Sequence, residues 1–209
     1  MSMSRPYISR QRADAAANSR ARVIEAARAL FSARGLEAVT IAEIAEKAGV
    51  SASGIFANFK SKEGVLRALM EQALFGSRYR AAIALFAQEP DPARQISSTA
   101  TIARAVYDGE REEIGLILGV SALSPALRAL EQGFEDLRYE LQRARIENLF
   151  AAGLAKEGLS IEDARRILWM YTSRQIYSSL VRDAGWSPER YEIWLSQTLI
   201  DALVKRTAT

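Results

Sequence analysis

The 209-residue chain contains no cysteine and no histidine. The first absence excludes disulfides, thiolate sensing and cysteine-ligated zinc. The second excludes Ser-His-Asp and Cys-His catalysis and any imidazole-held metal. A carboxylate-only metal site stays open, but no tight Asp/Glu cluster marks one. No Gly-rich phosphate loop is present either. No metal, no cofactor and no enzymatic activity are therefore expected. No apolar run approaches the ~18 residues of a membrane span. The opening MSMSRPYISRQR is basic but lacks the apolar stretch of a secretory signal, so a cytoplasmic protein with no membrane partner is expected.

What is present is ordinary in bulk and uneven in detail. Hydrophobic residues make up 49 % and charged residues 25 %, as in a globular protein with a real core. The net charge of +3 is not evenly spread: residues 1–80 hold 13 Lys+Arg against 7 Asp+Glu, and residues 81–209 hold 15 against 18. A basic N-terminal third on a slightly acidic remainder fits a polyanion-binding module joined to a second part. Such a surplus also serves plain solubility.

Strong helix formers dominate, and runs of alternating β-branched residues are missing, so the chain reads as all-α. Residues 1–18, with Arg5, Arg10 and Arg12, read as a flexible basic tail, or as an arm reaching into a DNA minor groove. A first helix over 19–34 carries Val23, Ala26, Ala27, Leu30 and Phe31 at spacings of three and four, and Gly35 ends it. Thr40 and Glu43 form a Thr-x-x-Glu capping box for a second helix over 41–48. Gly49-Val50 is a turn, and Ser51 opens a third helix over 51–57. Ser61 caps a long fourth helix over 62–88. Glu89-Pro90-Asp91-Pro92 breaks the chain. Helices are then expected over 92–107, 110–120, 125–155, 161–183 and 188–205, the last opened by Ser187-Pro188.

Residues 40–59, TIAEIAEKAGVSASGIFANF, pack two short helices around a Gly-Val turn. Gly49 suits the left-handed backbone of such a turn. Val50 and Ile55 can fill the angle between the helices, while Ile44 and Ala45 face helix one. The second short helix then presents Ser51, Ala52, Ser53 and Gly54. These small side chains allow a helix N-terminus to enter a major groove.

The stretch Arg20–Leu66 resembles the N-terminal domain of the TetR (tetracycline-repressor) family of regulators. The matching residues are Leu30-Phe31 with Gly35, Thr40, Ile44-Ala45, Ala48-Gly49-Val50-Ser51, Phe59, Lys62 and Leu66. The resemblance covers about a quarter of the chain. It implies a DNA-binding transcriptional regulator built from a helix-turn-helix domain (19–65, motif 40–59) and a helical ligand-binding and dimerisation domain (66–209). Thr40 and Lys62 would hold phosphates. Ser51, Ala52, Ser53 and Gly54 would read bases. Asn58 could pair with adenine or merely end its helix. Phe56 departs from the family's usual tyrosine, whose hydroxyl bonds a phosphate, which leaves only ring packing on a sugar or a thymine methyl.

The family comparison also implies a homodimer on a palindromic double-stranded operator. Its face would come from the last two helices, with Ile167, Leu168, Tyr171, Tyr191, Trp194, Leu195, Leu199 and Leu203 as candidates. An apolar or aromatic effector would sit among Tyr107, Phe134, Leu137, Trp169, Met170 and Tyr177 and release the operator, although each of these residues also reads as ordinary core. An activator or a regulator without a ligand switch is the competing reading. A helical carrier or an adaptor fits the residues less well.

Overall fold

The computed structural model describes the backbone of residues 5–113 and 125–205 and the side chains of 14–109 and 128–205. Among them all regular elements are helical, apart from one isolated bridge pairing Ala155 with Val204. The chain separates into two compact units, the first running to Ala73 and the second taking in Leu74–Glu112 and the residues from Ala129 on.

In the first unit, α1 (Arg5–Arg34) is longer than its apolar stripe predicts. Residues 5–18 are helical rather than a frayed tail. Once the stripe has nucleated a helix, the alanine-rich ADAAANS segment extends it at little cost. Asp14 to Asn18 in this extension are exposed, so no buried stripe there signals a helix in the sequence. Next come α2 (Ile41–Ala48), α3 (Ala52–Phe59) and α4 (Lys62–Phe75). Val23, Ala27 and Phe31 of α1, Ile44 and Ala45 of α2, Ile55 and Phe59 of α3, and Val65, Leu66 and Leu69 of α4 are all buried, and α2 packs on both α1 and α3.

Several helices expected to be continuous are broken. The fourth stops at Phe75, and Gly76 caps α5 (Ser77–Leu85). The next divides at Ser98 into α6 (Pro92–Ser97) and α7 (Thr99–Glu113). The expected 110–120 helix lies mostly outside the described residues. The 125–155 helix divides at Gln142 into α8 (Pro125–Leu141) and α9 (Arg143–Ala151). The 161–183 helix becomes α10 (Ile161–Tyr171), α11 (Arg174–Tyr177) and a π-helical turn, Ser178–Asp183. The cause of that break is local. Thr172 turns its hydroxyl back onto the Leu168 carbonyl at 2.7 Å, and Ser173 caps α11 instead of continuing α10. The last helix, α12 (Pro188–Leu203), starts at Ser187-Pro188 as read from the sequence.

The core of the second unit corrects the dimer assignment. Leu168, Tyr191, Leu195, Leu199 and Leu203 are fully buried within the single chain, packed with Ile96, Ala100, Ile146 and Leu149. They face their own core and not a partner. The heptad-like stripe on α12 serves contacts with α6 and α10. Ile167, Tyr171 and Trp194 stay partly exposed, and Ile193, which the sequence reading passed over, is 72 % exposed.

Candidate nucleic-acid interface

The helix-turn-helix is held by caps at each junction. Thr40 caps α2, and its Oγ1 accepts from the Glu43 N–H at 3.3 Å while Glu43 Oε2 accepts from the Thr40 N–H at 2.8 Å. Glu43 also accepts from Arg34 at 2.8 Å, which ties α2 to the end of α1. The Thr40 backbone N–H, then the Arg34 and Thr40 side chains, hold the Glu43 carboxyl down at about 2. Gly49 ends α2 with φ 63°, the left-handed geometry expected of it, and the Val50 N–H donates to Ala45 O at 3.0 Å. Ser51 caps α3 by accepting from the Gly54 N–H at 3.1 Å. Ile55 is 1 % exposed and locks α3 against the unit's core.

This packing turns one face of α3 outward. Ser51, Ser53, Phe56, Ala57 and Asn58 are exposed, and Phe56 is 50 % exposed despite being aromatic. The half-exposed ring is free to pack against whatever meets this otherwise small, polar face. Ala52 and Gly54 are half-buried beside it. Asn58 folds back so that Nδ2 donates to Gly54 O at 2.8 Å.

The two expected phosphate ligands are placed differently from each other. Thr40 is exposed at the start of α2, but its hydroxyl donates to Glu43 Oε2 at 2.8 Å. Lys62 Nζ donates to Leu36 O at 2.9 Å and so pins the α1–α2 turn to the start of α4. An ammonium has three donors, so two remain for a phosphate. The sequence reading missed Lys60, which caps α3 in a left-handed conformation (φ 69°) with Nζ on Ala57 O at 3.0 Å. It also missed Lys47, exposed in the last turn of α2. Their only signal in sequence is that they flank the motif. Arg20 of α1 sits over the Phe59 ring, 4.8 Å from its centroid.

Gly64 was also unremarked in the sequence. A Cβ there would lie 1.8 Å from the Phe59 carbonyl oxygen, so α3 and α4 meet at a distance only glycine permits.

The second unit encloses a largely apolar cavity of about 70 Å³. Phe75, Tyr79, Ile83, Ile102, Val106, Tyr107 and Phe134 form its greasy wall, with Gln142 and Arg145 among its polar members. Two of the six residues proposed from sequence, Tyr107 and Phe134, line it. The other four do not. Leu137 and Met170 point to solvent, at 43 % and 46 % exposed. Trp169 lies under the Arg138 guanidinium, 5.2 Å from the ring centroid. Tyr177 is buried in the core, with its hydroxyl on Asp108. Helix breaks at 76, 98, 142 and 172 redirect the side chains around the cavity, and a continuous-helix reading cannot anticipate them.

A helix-turn-helix with a left-handed glycine turn, a capped second helix and flanking lysines has the geometry of a DNA-binding module. Residues 23–69 match the family of bacterial regulatory proteins described as the tetR family. Over 51 residues the chain is 49 % identical to the uncharacterized HTH-type transcriptional regulator YvkB of Bacillus subtilis (strain 168); the match spans 24 % of this chain and 27 % of that protein. Solved structures with the same fold cover nearly the whole chain. NalD, the secondary repressor of the MexAB-OprM multidrug efflux pump in Pseudomonas aeruginosa, aligns with a TM-score of 0.66 at 18 % identity over 91 % of this chain and 98 % of its own. SmeT, solved as a complex with triclosan, aligns with a TM-score of 0.66 at 17 % identity over 90 % and 92 %. The family match falls on the helix-turn-helix of the first unit, and the likeness to the solved structures extends the shared fold over the rest of the chain.

Proposed function

We propose that the chain is a ligand-responsive repressor that binds a palindromic double-stranded operator as a homodimer and leaves it when a small molecule fills the cavity of the second unit. The observation that carries this reading is the pairing, in one chain, of an outward-facing recognition helix with a separate, largely apolar cavity. Helix α4 begins with Lys62 beside the recognition helix and ends with Leu74 and Phe75, both of which line the cavity. A ligand that displaces the end of α4 thereby acts on an element of the DNA-binding domain. Release requires the ligand to prefer the DNA-free state by about 1–3 kcal/mol or more. Structural relatives solved with a ligand, such as SmeT with triclosan, support the ligand-binding half of the reading.

Base reading would fall to Ser51, Ala52, Ser53, Gly54 and Asn58, with Phe56 packing on sugar or thymine and Thr40, Lys60 and Lys62 on phosphates. The partly exposed Ile167, Tyr171, Ile193 and Trp194 are the candidates for the subunit interface. The test is selection from random duplexes at two salt concentrations, with sequencing of the bound fraction. The expected result is a palindrome bound with steep salt dependence. Weak binding with no enriched sequence would reject the reading.

A further inference from the structure

The polar groups of the cavity do not all have partners. On one side the charges are paired: Arg138 donates to Trp169 O at 2.7 Å and to Thr172 Oγ1 at 2.8 Å, and it pairs with Glu135, although its Nε finds no acceptor. Arg174 pairs with Glu131 at 3.5 Å. Gln142 Nε2 donates to Thr172 Oγ1 at 2.8 Å. The Thr172 hydroxyl spends its one proton on Leu168 O at 2.7 Å, so the Gln142 amide must be the donor here and its orientation is determined. Gln142 Oε1 is left buried with no donor, and the residue is 8 % exposed.

Arg145 lines the same cavity, and its one hydrogen bond among the described residues is a long one, 3.5 Å to Leu141 O. It forms no ion pair among the described residues. Burial without a counter-ion pulls its pKa below the ordinary value, and among the described residues Tyr79 is the one titratable neighbour acting on it. Burial in turn pushes the Tyr79 hydroxyl up, so at neutral pH it is a neutral donor and offers Arg145 no anion. A half-buried guanidinium without a carboxylate is costly. The described lining includes one carboxylate, Glu135, and it is already paired with Arg138.

We propose that the ligand is an amphipathic organic acid whose carboxylate pairs with Arg145, with its apolar body among Phe75, Ile102, Val106 and Phe134. Tyr79 adds a hydroxyl donor to the same carboxylate, and a hydroxyl or N–H on the ligand would satisfy Gln142 Oε1. The guanidinium's planar fork matches a carboxylate in a bidentate pair. This inference rests on the cavity being the effector site, and it names the effector's chemical class.

Calorimetric titration of the full chain tests it, with benzoate, 4-hydroxybenzoate and octanoate against their neutral counterparts benzyl alcohol, 4-hydroxybenzyl alcohol and octanol. The acids should bind at least about tenfold more tightly, the size of one charge-assisted hydrogen bond. Arg145→Met should remove that advantage and leave the alcohols unchanged. Arg145→Lys, which keeps the charge without the fork, should fall between and serves if Arg145→Met does not fold. No binding by any acid, equal binding of acids and alcohols, or acid binding indifferent to Arg145 overturns the inference. Acid bound through Arg145 with no change in operator affinity would instead refute the ligand switch and leave the inference standing.

Discussion

Gly64→Ala should destabilise the DNA-binding domain, although it places a better helix former in α4. In an open helix position the change would gain about 1 kcal/mol. Gly133 supplies that reference within the same molecule, because it lies inside α8, is exposed, and has nothing within 4 Å of the point a Cβ would occupy. At Gly64 the new methyl would meet the Phe59 carbonyl oxygen at 1.8 Å. That carbonyl closes α3 and is backbone, so it cannot swing aside like a flexible side-chain end. The start of α4 and the end of α3 must therefore move apart. Overpacking of this kind costs typically about 1–3 kcal/mol. The same separation displaces Lys62 and the recognition helix, so operator affinity should fall along with stability. Thermal denaturation of both variants and an anisotropy titration on DNA provide the comparison: Gly133→Ala should melt a few degrees higher and Gly64→Ala several degrees lower. A Gly64→Ala protein as stable as the parent, with DNA affinity unchanged, would refute the close approach of the two helices.

Phe56→Tyr should tighten DNA binding by at least about tenfold, since a hydroxyl bonding a charged phosphate contributes about 1.5–3 kcal/mol, and the half-exposed ring leaves room for it. Fluorescence anisotropy at constant salt would read this, and an unchanged affinity would place Phe56 away from the backbone. Lys62→Met should lower both stability, through loss of its bond to Leu36 O, and the slope of log affinity against log salt, by about 0.9 if the free donors hold one phosphate. A lower melting point with an unchanged slope would make Lys62 purely structural. For pH, the Glu43 carboxyl is held at about 2 against an ordinary 4.5. Its stabilising contribution is therefore complete above the ordinary value and is lost as pH falls from there toward 2. Denaturation midpoints followed across that window should fall less steeply in Glu43→Gln than in the parent; parallel curves would remove Glu43 from the acid response.

The first unit was legible because its determinants are local. Thr40 and Glu43 cap a helix three residues apart, Gly49 supplies a left-handed turn, and Ile44, Ala45 and Ala48 repeat at helical spacing, so sequence neighbours decide the geometry. Even there, the Gly64–Phe59 approach and the Lys62–Leu36 bond were invisible, because each joins residues whose separation is set by how one helix packs on another.

In the second unit, periodicity identified helices and apolar stripes but not what each stripe faces. Tyr191, Leu195, Leu199 and Leu203 repeat as a dimer face would, yet bury themselves in their own unit. Whether a stripe meets its own chain or a second one depends on which neighbours arrive, and spacing along one helix does not encode that. The cavity shows the same limit: Phe134 and Leu137 lie three residues apart on α8, but one lines the cavity and the other meets water. The sequence by itself determined the all-helical class, the helix-turn-helix and its caps, through turn chemistry and short-range spacing. Only the tertiary structure decided which residues enclose the cavity and that Arg145 stands there without a counter-ion among the described residues, because breaks at Gly76, Ser98, Gln142 and Thr172 set the directions in which the side chains converge.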